Sequence, residues 1–280
     1  MAVVMGLAGP AAATWSIVAV DDESGEVGVA MASCAAAGAL GDADEVLAPI
    51  VLVPGKGAGV LQGTVRPPAI AEMTELLAHG DITAPMVVET LLAAEVDETL
   101  IPVRQYGVVV LGDYSGSPGV HVGEENGPEA VAIGTSGATV QAVRTESALV
   151  GGRTLSAYSA ARDAGLSLSD GLVVALEAGA AAGGDLGCGE QRALFAQLAV
   201  AHPADDDGRS PSTLLTVTVD EGDGQNPVAL LAEAFRRGDR GWINAGLRSP
   251  TLIPRWIVMM VGVALAVSSL FIIRKGMRMG

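Results

Sequence analysis

The chain has 280 residues, which is enough for one large domain or two small ones. Half of the residues are hydrophobic but only 3% are aromatic, so a core must be built mainly from small aliphatic side chains. Acidic residues outnumber basic ones 32 to 16, and the net charge of −16 argues against a surface that attracts the phosphates of a nucleic acid.

Residues 1–13 form an uncharged apolar leader, MAVVMGLAGPAAA. Ala11 and Ala13 stand in the A-x-A arrangement after which signal peptidases cut, although the leader is short and has no basic residue at its start. It is either a truncated signal peptide or an apolar leader strand, and we favour the signal peptide. Cleavage after Ala13 would make Thr14 the first residue of the mature chain.

The first part of the chain predicts two β-hairpins. Runs of β-forming residues over Thr14–Val20 and Val27–Ser33 are separated by a turn rich in Asp, Ser and Gly. Two shorter strands, Ile50–Val53 and Ala58–Gln62, follow around a glycine-rich turn.

Helical periodicity then predicts a helix over Pro67–His79 that ends at Gly80, and a second helix from a Thr83 cap to Ala94. The next predicted elements, in chain order, are strands Val103–Leu111, 119–122 and 130–133, helices Thr139–Leu149, Thr154–Ala164 and Ser169–Ala182 (capped by Ser169), strands Leu194–Ala201 and Leu214–Val219, and a helix Pro227–Arg237 capped by Asn226.

The predicted strands are apolar on both faces, so the sheets need cover on both sides. Two sheets packed together, with helices outside them, satisfy this requirement and give an α+β fold. No internal repeat and no second-domain boundary precede residue 238, so residues 14–237 are predicted to form one domain.

The C-terminal run Trp256–Ile273 has 18 residues without a charge and predicts one transmembrane helix. At about 1.5 Å per residue it spans roughly 27 Å, close to the hydrocarbon thickness of a bilayer. A buried core helix is the alternative, but the run is apolar on every face and cations flank it. Residues 238–255 are then a linker and residues 274–280 a basic tail. Because cations occur on both sides of the span, the leader decides the orientation, and it favours a domain outside the cytoplasmic membrane.

Cys34 and Cys188 are the only cysteines in the sequence. They fit either a disulfide outside the cell or two small buried thiols, and we favour the thiols. No CxxC or Cys/His spacing occurs, so we expect no metal site. The segment Gly55–Gly59 is not followed by GK[ST], so it predicts a turn rather than a phosphate loop, and we expect no cofactor. The sequence does not predict an oligomeric state.

Thr14 is the residue to which the sequence gives the clearest chemistry. A terminal Thr carries a hydroxyl nucleophile and a free α-amine, whose pKa near 8 lets it accept the hydroxyl proton close to neutral pH. Backbone N–H groups forming an oxyanion hole would complete a site for acyl transfer. The structural alternative is simple, because Thr is a good strand former and strands often begin with it.

Several segments together resemble the bacterial and archaeal family catalogued as domain of unknown function 1028. They are the opening strands Thr14–Asp21 and Ser24–Ser33, the middle strand Arg104–Val109, and the glycine-rich Gly179–Asp185 followed by Gln191. The resemblance covers roughly residues 14–237. It implies similarity to N-terminal-nucleophile (Ntn) hydrolases, which are four-layer αββα sandwiches whose first strand begins at or near the mature N-terminus, often with Thr.

The resemblance also implies roles for individual residues. Thr14 is the expected nucleophile and base, Ser33 is expected to orient its amine, and Asp185 and Gln191 are expected to line the substrate end of the site. An amide or peptide, including a cell-wall peptide, is the implied substrate. Two alternatives stay open: a non-catalytic ligand-binding protein of the same fold at the cell surface, and a cytoplasmic tail-anchored protein that keeps residues 1–13.

Overall fold

The structure, a computed structural model, describes residues 14–34, 49–63, 65–112 and 116–244. The predicted leader, the end of the predicted linker, the span Trp256–Ile273 and the basic tail lie outside these residues. In the part of the chain that is described, none of the helices has the length and apolar character needed to cross a membrane.

The described residues form two β-sheets. Their strands are β1 Thr14–Asp21, β2 Glu26–Ser33, β3 Ile50–Val53, β4 Gly57–Gly63, β5 Arg104–Val110, β6 Gly119–Val122, β7 Val131–Thr135, β8 Ala138–Val143, β9 Phe195–Ala201, β10 Thr213–Thr218 and β11 Gly241–Asn244. The larger sheet has the order β11-β10-β9-β2-β1-β8-β7 and the smaller one β3-β4-β5-β6. Neighbouring strands are antiparallel, except that β11 runs parallel to β10. The fold is therefore α+β with largely antiparallel sheets.

Five α-helices lie in the described residues: α1 Pro67–His79, α2 Ala84–Ala93, α3 Leu149–Asp163, α4 Leu168–Ala181 and α5 Pro227–Arg237. The side chains of Thr83, Ser167 and Asn226 each accept a hydrogen bond from a first-turn N–H, so they cap α2, α4 and α5. Gly80 ends α1 with φ of 81°, a left-handed conformation that glycine adopts without a Cβ clash.

Buried apolar side chains fall into three clusters that follow the two sheets. Trp15 and Ile17 of β1 pack with α3, α4 and α5 on one face of the larger sheet. Val18 and Val20, which alternate with them, pack against strands of the smaller sheet. The third cluster joins the smaller sheet to α1 and α2. Each sheet is thus covered on both faces, as its apolar strands require.

Three local predictions were wrong. The segment predicted as a helix over Thr139–Leu149 is strand β8 and a turn, because Ala138–Val143 is buried on both faces between β1 and β7, and tertiary burial overrides a short helical pattern. Ser167, rather than Ser169, caps α4. Cys34 and Cys188 form a disulfide, with their Cα atoms 5.8 Å apart, instead of two free thiols. Strand β11 also lies inside the segment predicted as a linker.

Candidate functional site

Thr14 begins strand β1, which lies inside the larger sheet with β2 on one side and β8 on the other. It is opposite Ser33 on β2 and Val143 on β8. Because side chains alternate along a strand, Thr14 shares the face of Val18, which packs toward the smaller sheet. Its side chain is largely buried, with 7% of the residue exposed. The ladder on both sides therefore holds Thr14 in a fixed place.

Ser33, the last residue of β2, contacts Thr14 directly. The Thr14 hydroxyl donates a hydrogen bond of 3.0 Å to Ser33 Oγ, and both side chains are buried. The structure therefore brings together the two residues for which the sequence predicted catalytic roles. The roles themselves stay predictions.

Asp185 lies beside the end of β2 and is completely buried. One of its carboxylate oxygens accepts from the backbone N–H of Cys34 at 2.7 Å, and the other accepts from that of Gly187 at 2.8 Å. Burial raises the pKa of Asp185 to about 6, although both backbone hydrogen bonds act to lower it. Both carboxylate oxygens thus bind the backbone of this chain.

Gln191 is engaged elsewhere. Its side-chain amide donates to Asp220 O, Asp223 Oδ1 and Gln225 O, and its carbonyl oxygen accepts from Gly222 N–H at 2.7 Å. These contacts hold the loop between β10 and α5. The structure does not bring Gln191 into contact with Thr14 or Ser33, so a role at the substrate end stays a prediction.

A buried polar network between the two sheets was missed from the sequence. Ser16, two residues after Thr14 on the same face of β1, donates to the side-chain oxygens of Gln62 and of Gln141, the latter at 3.3 Å. Gln62 in turn donates to Gln105 at 3.0 Å. The layer between the sheets is therefore polar at the end near Thr14 and apolar at the end near Val20.

One sequence signal could have located this network. Thr14 and Ser16 interrupt the apolar side chains on one face of β1 at a spacing of two, as expected for a strand whose face changes from apolar to polar. Gln62 and Gln105 are also paired directly across β4 and β5. That pairing depends on strand register, which the sequence does not give.

Two other features lie away from Thr14. The β7–β8 turn, Ser136 and Gly137, lies at the opposite end of β1 from Thr14, about 17 Å away along the strand. A groove of about 320 Å³ lies on the helix-covered side of the larger sheet, between α4 and α5, whereas Thr14 faces the smaller sheet. Arg192 and Glu190 contribute to its lining.

Among the described residues, no group of three or more His, Cys, Asp or Glu side chains is arranged to hold a metal ion.

Comparison with known proteins gives a family for the chain. The model of the family of unknown function DUF1028 matches residues 14–231. The crystal structure of protein SPO2555 from Silicibacter pomeroyi, described with the same family, is similar with a TM-score of 0.61 and 21% sequence identity. The similarity covers 82% of this chain and 87% of that one, and at this identity it shows a shared fold only. No curated protein matches the chain.

Proposed function

The chain belongs to the family of unknown function DUF1028, and we propose that its domain is a membrane-anchored amidohydrolase of the Ntn type. In this proposal Thr14 is the nucleophile, and the substrate is an amide or a peptide, with cell-wall peptides as one class. The two sheets with helices outside them support this proposal, because such hydrolases are four-layer αββα sandwiches.

One observation carries the proposal. The Thr14 hydroxyl lies at the start of an inner strand, 3.0 Å from the Ser33 hydroxyl and at the polar end of the layer between the sheets. A threonine that served only to form a strand could stand at the start of any strand in a sheet, and it would need no second hydroxyl beside its own. A hydroxyl held by register and by a second hydroxyl is in a defined position for attack on a carbonyl.

The chemistry requires that the mature chain begins at Thr14. Its α-amine would then take the proton from Oγ1 as the oxygen attacks the substrate carbonyl carbon. The carbon–nitrogen bond breaks, the proton passes to the leaving amine, and the acyl group stays on Oγ1 as an ester. Water hydrolyses this ester, with the amine acting as base again. Ser33 would keep Oγ1 in position throughout both steps.

The disulfide supports the proposed location. Cys34 and Cys188 are joined, and disulfides persist mainly in oxidising compartments outside the cytosol. An extracytoplasmic domain held by the predicted span Trp256–Ile273 is consistent with this. Such a domain would meet peptides of the cell wall.

A covalent probe tests the proposal. A peptide epoxyketone reacts stably with a residue that has both a free α-amine and a hydroxyl, so the purified full-length protein should gain one adduct, located at Thr14 by peptide mass spectrometry. Thr14→Ser should keep the adduct and Thr14→Ala should lose it. Thr154→Ala is the matched control, because it removes a buried threonine hydroxyl from α3, on the side of the larger sheet opposite to the Thr14 side chain. This variant should react like the wild type.

The opposite result is equally clear. A chain that begins at Thr14 but forms no adduct, and that hydrolyses no amide in a peptide library, would refute the hydrolase. The alternative, a ligand-binding protein at the cell surface, would then be favoured.

A further inference from the structure

The end of strand β2 is fixed by three separate connections. Ser33 O accepts from Leu194 N–H at 2.9 Å, Cys34 N–H donates to Asp185 at 2.7 Å, and Cys34 is bonded to Cys188. Thr14, the proposed nucleophile, is hydrogen-bonded to Ser33, and Ser33 is followed directly by Cys34. Movement of Cys34 would move Ser33 with it.

Asp185 is the centre of this arrangement. It is completely buried, it joins the 3-10 helix Leu186–Gln191 to the residue after β2 through its two oxygens, and it also forms a β-bridge with Thr145 just beyond β8. Burying a carboxylate is costly unless it is well hydrogen-bonded. Here the buried carboxylate is hydrogen-bonded to Cys34, the residue that follows Ser33.

We propose that Asp185, tethered by the Cys34–Cys188 disulfide, is a positioning residue that holds Ser33 against the Thr14 hydroxyl. The proposal rests on the proposed function, and it replaces direct substrate contact by Asp185 with an action through the backbone of Cys34. The disulfide spans 154 residues of sequence, so it confines the 3-10 helix that Asp185 caps to the end of β2.

Two variants separate the contributions. Asp185→Asn keeps the size of the side chain but replaces one accepting oxygen with an NH2 group that cannot accept from an N–H. The double variant Cys34→Ser with Cys188→Ser removes only the disulfide, and it tests the proposal independently if Asp185→Asn fails to fold. Asp205→Asn is the matched control, because Asp205 also accepts backbone N–H groups, from His202 and Ser212, at the opposite end of β9.

Labelling kinetics with the epoxyketone give the readout. We expect the maximal labelling rate at saturating probe to fall at least tenfold in Asp185→Asn and several-fold in the cysteine variant. The half-saturating probe concentration and the final stoichiometry should stay unchanged, because the site is present but misaligned. Loss of stoichiometry at an unchanged rate would indicate partial unfolding and would overturn the proposal.

A second measurement distinguishes this proposal from the hydrolase itself. If the wild type does not react with the probe, the proposed function has failed, and amide hydrogen exchange then tests the positioning alone. Exchange of the backbone amides at positions 34 and 194 should become at least tenfold faster in both variants, and exchange within β9 should not. Unchanged exchange at these two amides would refute the positioning role.

Discussion

Replacing Asp185 with Asn should flatten the pH dependence of the unfolding free energy between about pH 4 and pH 6. The carboxylate is completely buried and its pKa is raised from 3.8 to about 6, so between these values the folded state binds more protons than the unfolded state. The contribution of this group to stability is therefore full below about pH 4 and is lost as the pH rises through 6. At about 1.4 kcal/mol per pKa unit, the loss is about 3 kcal/mol.

The assay is urea denaturation of the purified full-length protein, followed by far-UV circular dichroism at pH 4, 5, 6 and 7. The unfolding free energy of the wild type minus that of Asp185→Asn should fall by about 3 kcal/mol from pH 4 to pH 7. Asp205→Asn is the control: burial acts to raise the pKa of Asp205, but hydrogen bonds from Ser212 and His202 bring it below its usual value, so its contribution to stability is already present above about pH 4 and the difference between the wild type and Asp205→Asn should stay nearly constant from pH 4 to pH 7. A difference between the wild type and Asp185→Asn that does not change with pH would refute the reasoning.

Two further predictions concern stability, and the same urea assay at pH 7 checks both. The Arg104 guanidinium donates a hydrogen bond of 3.0 Å to the Glu95 carboxylate, and Arg104 is only 1% exposed. Glu95→Ala removes this carboxylate and should lower the unfolding free energy by about 3–5 kcal/mol. A decrease below about 1 kcal/mol would contradict this prediction. Gly107→Ala would place a Cβ 2.0 Å from Gln141 Nε2 in the buried network and should lower the unfolding free energy by about 1–3 kcal/mol. Gly152→Ala on α3 is the control: its Cβ would meet no atom within 4 Å, so the unfolding free energy should stay the same or rise.

The opening strands and the cap-defined helices could be predicted because their signals are local. Helix α1 and helix α5 have the bounds that their periodicity and their flanking Gly80 and Asn226 indicate. Strands β1 and β2 differ from their predicted bounds by one residue each. The pairing of Thr14 with Ser33 followed from the same hairpin, since a short turn fixes its register.

The rest of the candidate site depends on contacts between distant parts of the chain. Ser16 meets Gln141 across 125 positions, and Cys34 meets Cys188 across 154. No local pattern gives such pairings, so the network was not predicted and the disulfide was only the less favoured of two alternatives. For the same reason the contacts of Asp185 were not predicted: one of its oxygens accepts from Cys34 N–H just beyond β2 and the other from Gly187 N–H, and its role at the substrate end stays a prediction.

The first residue of the mature protein tests the central claim most directly. Intact mass and N-terminal peptide sequencing of protein isolated from a bacterial membrane fraction should show a chain that starts at Thr14 with an unmodified amine. A chain that still begins at Met1 or Ala2 would contradict the account, because Thr14 would then have no amine to act as its base.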